Sequence, residues 1–380
     1  MKNEVSNFLS SRIEQGDFPS AVYLVAEKGV PVLEDALGRA VAGPERIDAS
    51  METIYDLASL TKVLVTGLLI AKFIEDDQID LSDQIAQYFP EFEIGEKDGI
   101  TIKQLLTHTS GFAAWKPFYL TKNDHSNRKN VLSQIASDPL LNPIGERVVY
   151  SDFSFLLLGF LAEKISGLPL DDLARKEIFE PLDLKETFFN PPPIIRSRIA
   201  ASEKGNNYEK QTCIELGYLK QPISEEASGK FRADLIWGEV HDNNCYFLYG
   251  VAGHAGLFSS APEVLMIAKQ FLAESTSILK PETCKFFRTN FTPGLNQARS
   301  LGFQLAETDD STAGEALSKD SFGHLGFTGT SLWIDPMNER IYILLTNRTH
   351  DRNLPFADLK STRQNFHRFA SDFMDSLRDN

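Results

Sequence analysis

A primary alcohol and a primary amine stand three residues apart in Ser59-Leu60-Thr61-Lys62, where an apolar helical run begins. On a helix that spacing turns both side chains into the same space. A serine hydroxyl attacks a carbonyl at neutral pH only with a base beside it, and a desolvated lysine amine is one such base. The chemistry on offer is acyl transfer. A serine at a helix N-terminus also has free backbone N–H groups beside it, which suit a developing oxyanion.

The same pattern recurs at Ser126-Asn127-Arg128-Lys129 and Ser277-Ile278-Leu279-Lys280. Ser126 lies in a polar stretch with no apolar face to bury an amine. Lys280 precedes Pro281, which pushes it out of helical geometry. Only Ser59 is followed by Val63, Leu64, Gly67, Leu68, Ala71, Phe73 and Ile74, a wide apolar face at helical spacing.

Acyl transfer further requires a proton shuttle, a second oxyanion donor and a substrate clamp. Val148-Val149-Tyr150-Ser151-Asp152 precedes a helix, so Tyr150 is expected to project from a turn, and a phenol beside an ammonium can relay protons to a leaving group. Gly323-His324-Leu325-Gly326-Phe327-Thr328-Gly329-Thr330 runs directly into the strand Ser331–Asp335. Glycines there let a substrate backbone come close, and the N–H of Phe327 is the candidate second oxyanion donor. His241-Asp242 has the composition of a triad's base and orienter, but Ser59 already has Lys62. His108 and His254 fall in turn-like segments and are expected to bond to backbone.

The elements that must position these residues follow from patterning. At 380 residues the chain can bury a large core. Ala21–Ala26 reads as a buried strand, Lys28-Gly29 as a turn and Val30–Leu37 as the returning strand of a hairpin. After Ser59 the chain turns helical, with capped helix starts at Leu81-Ser82-Asp83 and Thr101–Leu106, a helix over Ser154–Ile165 ending at Gly167, and another from Leu170. Glu203–Lys230 is polar and aperiodic, a long loop of the kind that forms lids or binding walls. Strand character returns at Leu301–Ala306, Thr330–Asp335 and Arg340–Thr346, with a hairpin turn at Asp335-Pro336-Met337-Asn338. Phe366, Phe369, Phe373, Met374 and Leu377 form the stripe of a last helix. The expectation is an α+β fold whose antiparallel sheet is built from both termini and flanked by helices, with an inserted, mostly helical lobe. It forms one domain over 1–380: a sheet lobe of about residues 1–57 and 245–380, and a helical lobe with its irregular loop over about 58–244.

Bulk properties exclude some functions. A net charge of −15 argues against nucleic-acid binding, which needs a basic face. Cys213, Cys245 and Cys284 show no metal-ligand spacing and read as buried small hydrophobes. No metal, phosphate-loop or cofactor pattern appears. The longest uncharged apolar runs fall far short of a membrane span, and the first residues lack the apolar core of a signal peptide. A complete chain would then be cytoplasmic, and one with its leader removed periplasmic or secreted. No feature specifies an oligomer.

Taken together, the order and context of these motifs resemble the serine β-lactamase-like family, which includes class C β-lactamases, D-alanyl-D-alanine carboxypeptidases and related esterases. Ser59-x-x-Lys62 matches its first motif, Tyr150-Ser151-Asp152 its Tyr-x-Asn motif, and His324-Leu325-Gly326 falls where members carry Lys-Thr-Gly or His-x-Gly. Leu105–Gly111 and Gly253–Ser259 agree as well, and the likeness runs from about Phe18 to Thr346. The resemblance implies that Ser59 is acylated, that Lys62 is its base or keeps Tyr150 deprotonated, and that Tyr150 protonates the leaving group. It also implies an oxyanion hole from the amides of Ser59 and Phe327, and substrate contacts at Asp152, His324 and Gly326.

Two departures bear on the substrate. His324 replaces a permanent cation by a conditional one. Asp152 replaces an amide by a carboxylate, which cannot donate to an acyl-amide carbonyl and favours a protonated Lys62. Both changes point to carboxylic esters or small amides without an anionic anchor, unless neighbouring arginines replace the clamp. The alternatives are a β-lactamase or D,D-carboxypeptidase acting on β-lactam-like substrates, and an inactive binding or scaffold protein that keeps the fold.

Overall fold

The computed structural model describes residues 3–43, 45–93, 95–121 and 127–378; the Ser126 copy of the motif lies outside them. The principal sheet is antiparallel with strand order β3–β2–β1–β10–β9–β8–β7. Its strands are β1 (Ser20–Glu27), β2 (Val30–Val41), β3 (Ile47–Asp48), β7 (Gln304–Leu305), β8 (Phe322–Leu325), β9 (Ser331–Asp335) and β10 (Arg340–Thr346). A smaller sheet joins β4 (Tyr55–Asp56), β6 (Leu257–Ser259) and β5 (Phe188–Phe189) in that order. Strands from the two ends of the chain meet at the centre, where β1 pairs with β10 through Tyr23 opposite Leu344.

Period-two alternation splits the central strands between two cores. Val22, Leu24, Ala26, Ile341, Ile343 and Leu345 face Val63, Leu64 and Leu68 of the helical run that follows Ser59. Tyr23, Val25, Tyr342 and Leu344 face the other way, onto Val5 and Leu9 of the helix Glu4–Glu14 and Phe366 and Met374 of the helix Lys360–Arg378. Each large apolar side chain so buried contributes about 1.5–3 kcal/mol. Lys28 and Gly29 close the β1–β2 hairpin with positive φ values of 52° and 73°, the backbone such a two-residue turn demands.

Three local expectations differ from the structure. Leu81-Ser82-Asp83 starts no α-helix: Asp80 accepts the Ser82 N–H and Asp83 the Asp80 N–H, both at 2.8 Å, which leaves tight turns before a single helical turn at Ile85–Gln87. The strand expected over Leu301–Ala306 shrinks to Gln304–Leu305, because Gly302 (φ +84°) turns its N–H to the carbonyl of Leu106. The aperiodic stretch after Glu203 contains the helix Asn207–Glu215, whose fully covered positions are Glu209 and Cys213. A buried carboxyl at a core position hides the helical period from a hydropathy reading.

Candidate active site

Ser59 sits in the one-turn 3₁₀ helix Ala58–Leu60, which runs on into the wide π-type turns Lys62–Gly67 and then the α-helix Leu68–Glu75. Irregular helix of this kind re-aims side chains and recurs at functional sites. Ala58 has a φ of +47°. That conformation costs a non-glycine residue roughly 1–3 kcal/mol and persists only when its surroundings impose it. Here the buried Asp56 carboxylate accepts the Ala58 N–H at 2.9 Å, and the Thr61 hydroxyl donates to the Ala58 carbonyl at 2.6 Å. Asp56 also accepts the His241 N–H at 2.7 Å, so both its oxygens are engaged. The turn that presents Ser59 is held from both sides.

Lys62 is fully buried. Its ammonium donates to Ser59 Oγ at 2.9 Å and to the His254 carbonyl at 3.1 Å, and lies 2.8 Å from Asp152 Oδ1. It also lies 5.0 Å from the centre of the Tyr150 ring. Burial is the largest influence and opposes the charge, but Asp152 and Tyr150 together outweigh it, so the lysine pKa is raised above its usual value. Of the two roles left open for Lys62, this favours the charged partner of Tyr150 over the free-amine base. Desolvation alone would neutralise the lysine; a carboxylate at hydrogen-bond distance reverses the sign. Asp152, placed among the substrate contacts by the sequence reading, spends Oδ1 on Lys62.

Asp152 opens the helix Asp152–Ser166, with Tyr150 in the irregular run just before it. The Ser151 hydroxyl donates to the Ala113 carbonyl at 2.6 Å, and the Asp152 N–H to Ala114 at 2.8 Å. The half-buried Tyr150 ring packs between two imidazoles, His108 at 4.6 Å and His324 at 5.7 Å between ring centres.

The β8–β9 turn closes the other side. The Gly326 N–H bonds the Thr330 carbonyl at 2.8 Å, while the hydroxyls of Thr328 and Thr330 donate to the carbonyls of Asp56 and Leu57 at 2.7 and 3.1 Å. A Cβ on Gly326 would run into Thr330 Oγ1 and the Leu57 carbonyl, so only glycine lets this turn dock beside Ser59. The Phe327 N–H is paired with no acceptor among the described residues, and Ser59 and Phe327 both line the same cleft. His324 is buried and its Nδ1 meets the Leu325 carbonyl at 2.9 Å, which makes Nδ1 the donor and Nε2 an acceptor. Burial first, then the charges of Lys62 and Arg299, hold its pKa well below the usual histidine value. His324 is therefore neutral at pH 7 and supplies no cation.

The cleft has a volume of about 580 Å³. Besides Ser59, Tyr150, Asp152, His324, Gly326 and Phe327, the residues lining it include several that sequence patterning did not single out. Arg299, Arg348 and Arg363 belong to no motif. Among the described residues none of the three forms an ion pair, although Arg299 and Arg363 are buried. Burial lowers the Arg299 pKa to about 10 against the opposing pull of Tyr150. From the aperiodic segment come Tyr208, Glu209, Thr212 and Leu216. Glu209 accepts the Tyr119 hydroxyl and the Asn243 N–H, each at 2.8 Å, and burial followed by repulsion from Asp242 pushes its pKa up to about 7.

His241 does not pair with Asp242. Its Nε2 meets Glu203 at 2.9 Å and its ring stacks on Phe327, while Asp242 holds His254 at 3.1 Å. Ligand atoms of Asp152, Asp242 and His254 come within 4.8 Å of one another. The Lys62 ammonium bonded to Asp152 and the His254 carbonyl already brings a positive charge to that carboxylate pair. His254 follows Gly253, where a Cβ would meet the Phe155 carbonyl; this close approach brings the His254 carbonyl over Lys62. The His254 ring, expected to bond to backbone, turns its Nε2 to the Asp242 carboxylate instead. All three cysteines are free and buried.

A family model described as Beta-lactamase matches residues 5–362. A protein of Escherichia coli (strain K12) named "Putative D-alanyl-D-alanine carboxypeptidase" is 30% identical over 382 residues, covering 94% of this chain and 83% of its own length. A protein of the same name from Salmonella agona (strain SL483) is 31% identical over 380 residues, covering 92% and 83%. Among solved structures, "EstCE1, a hydrolase with promiscuous acyltransferase activity" superposes with a TM-score of 0.72 at 20% identity, covering 97% of each chain. A penicillin-binding protein homologue from Caulobacter crescentus gives a TM-score of 0.70 at 20% identity, covering 97% of this chain and 96% of its own.

Proposed function

The chain belongs to the Beta-lactamase family of serine hydrolases, and from that premise we propose that Ser59 is its acylated nucleophile and that carboxylic esters or small amides are its substrates. The observation that carries this reading is the 2.9 Å bond from a buried ammonium, Lys62, to the hydroxyl oxygen of Ser59, which lines the cleft. In the first step Ser59 Oγ bonds to the substrate carbonyl carbon while its proton passes to Tyr150. The carbonyl oxygen becomes an oxyanion facing the N–H groups of Ser59 and Phe327. The carbon–oxygen or carbon–nitrogen bond then breaks, and Tyr150 returns the proton to the departing alcohol or amine. Water repeats the sequence on the acyl-enzyme, releasing the acid and Ser59. Lys62, already charged through Asp152, serves throughout as a fixed donor to Oγ and a counter-charge to a deprotonated Tyr150.

A second reading draws on the three arginines that line the cleft without ion-pair partners. A buried guanidinium without a carboxylate favours an anionic ligand. This supports a substrate bearing a carboxylate, as a peptide C-terminus or a β-lactam does, and the names of the 30–31% identical relatives point the same way. The readings separate on a panel of p-nitrophenyl esters, an acyl-D-alanyl-D-alanine peptide and a chromogenic cephalosporin. Turnover of neutral esters alone supports the first. Faster turnover of the peptide, or hydrolysis of the cephalosporin, transfers the assignment to the second. If neither a fluorophosphonate nor a fluorescent penicillin labels Ser59, the chain is a binding protein on this fold.

A further inference from the structure

We propose that His108 is a positioning residue for Tyr150, holding the backbone on both sides of it; the proposal rests on the reading of Tyr150 as the proton shuttle. The Val149 N–H donates to the His108 carbonyl at 2.9 Å, and the Ser151 N–H donates to His108 Nδ1 at 3.0 Å. One residue thus takes the amides at i−1 and i+1 of Tyr150, which point to one side of an extended chain. The His108 ring lies 4.6 Å from that of Tyr150 and 5.2 Å from that of Phe155, so the phenol rests on the same imidazole. Nothing regular does this work instead: residues 146–151 belong to no helix or strand.

Two features mark His108 as more than a packed side chain. Its φ is +58°, a left-handed conformation uncommon for histidine that lets carbonyl and ring grip the same run of chain. Its Nδ1 is an acceptor, so the imidazole is the neutral Nε2–H tautomer, and that Nε2, fully covered, has no hydrogen-bond partner. A fold that leaves such a donor buried and unpaired bears its desolvation without return. Burial first, then the charges of Arg299 and Lys62, hold its pKa well below the usual histidine value. Alanine would lose the Nδ1 acceptor. Asparagine would place Oδ1 near that position and tolerates positive φ.

The test is a double-mutant cycle on p-nitrophenyl ester turnover, with melting temperature recorded for each variant. His108→Gly removes acceptor and ring while relaxing the +58° backbone, which favours a folded variant. It is expected to lower kcat about 10- to 100-fold with KM changed less than about threefold, and His108→Asn to stay within about fivefold of wild type. In a Tyr150→Phe background, His108→Gly should cost no more than about twofold, because its route of action is already gone. An equal loss in both backgrounds, or a folded His108→Asn as poor as His108→Gly, overturns the positioning role. Full activity of Tyr150→Phe overturns the shuttle reading itself, a different and separately visible failure. Should His108→Gly not fold, His108→Asn alone decides: rescue of kcat supports the acceptor role, and loss of kcat in a folded protein ends it.

Discussion

The two walls of the cleft are built differently. On the Ser59 wall each chemistry-bearing group is held by several others: Asp56 by two backbone amides, Lys62 by Ser59, Asp152 and the His254 carbonyl, and the β8–β9 turn by two threonine hydroxyls. On the opposite wall the short helix Asn207–Glu215 supplies Tyr208, Glu209 and Thr212 and ends beside an exposed Leu216. Its polar residues are tied to the body through a few side-chain bonds, such as Glu209 to Tyr119. A wall over-determined by contacts can store the strain at Ala58 and fix distances for chemistry. A wall with few anchors can change its contour without disturbing that chemistry.

The contrast predicts a graded response. Ser59→Ala should remove ester turnover by about 10⁴-fold or more while the melting temperature stays close to wild type. Lys62→Met should follow, with a loss of roughly 10²–10⁴-fold in kcat/KM, because it removes the donor to Oγ and leaves the Asp152 carboxylate unpaired. Both are read by steady-state kinetics beside a melting curve. If either variant keeps its activity, the Ser59 wall is not the chemical one.

Asp152→Asn sharpens the comparison through pH. In the wild type Asp152 and Tyr150 hold the Lys62 pKa above its usual value, against burial. Without the carboxylate the lysine pKa falls, because burial is then opposed by Tyr150 alone, so the ammonium is lost at a lower pH. The alkaline limb of kcat/KM should therefore move toward neutrality in Asp152→Asn. A limb that moves the other way, or activity that improves at high pH, would mean that the free amine is the working form.

Glu209→Gln is the smallest change, and it probes the second wall. The Glu209 pKa is raised to about 7 in the folded chain by burial and by Asp242. The folded state thus holds a proton that the unfolded state releases above the ordinary carboxylate range, and stability falls as pH rises from about 4.5 to about 7. Glutamine removes that slope, so the variant should gain roughly 2–3 kcal/mol relative to wild type between pH 5 and pH 8. Its turnover of a small neutral ester should remain within about threefold of wild type. Chemical denaturation at the two pH values reads the first effect; an equal slope in both proteins would contradict it.

Sequence patterning reached the Ser59 wall further than the Glu209 wall, for physical reasons. Ser59 and Lys62 are close in the chain, so helical spacing alone brings them together. The Asp152 carboxylate implied a charged lysine before any coordinates, and its 2.8 Å ion pair with the buried Lys62 agrees. The β1–β2 hairpin and the sheet shared by both termini followed from alternation and from Lys28-Gly29. Arg299, Arg348 and Arg363 escaped because an arginine buried without a carboxylate looks, in a sequence, like any surface arginine. The helix Asn207–Glu215 escaped because Glu209 occupies a buried position that hydropathy assigns to solvent. His108 was read as a backbone partner, which it is, but its two partners flank Tyr150 only because a left-handed turn folds the chain back.

Rapid quench of wild-type protein with a slowly deacylated ester, followed by intact mass and peptide mapping, reads out directly whether Ser59 is acylated. The expected result is a mass increase equal to the acyl group, carried by the peptide containing Ser59 and absent in Ser59→Ala. Turnover with no covalent adduct, or an adduct on another residue, would contradict it.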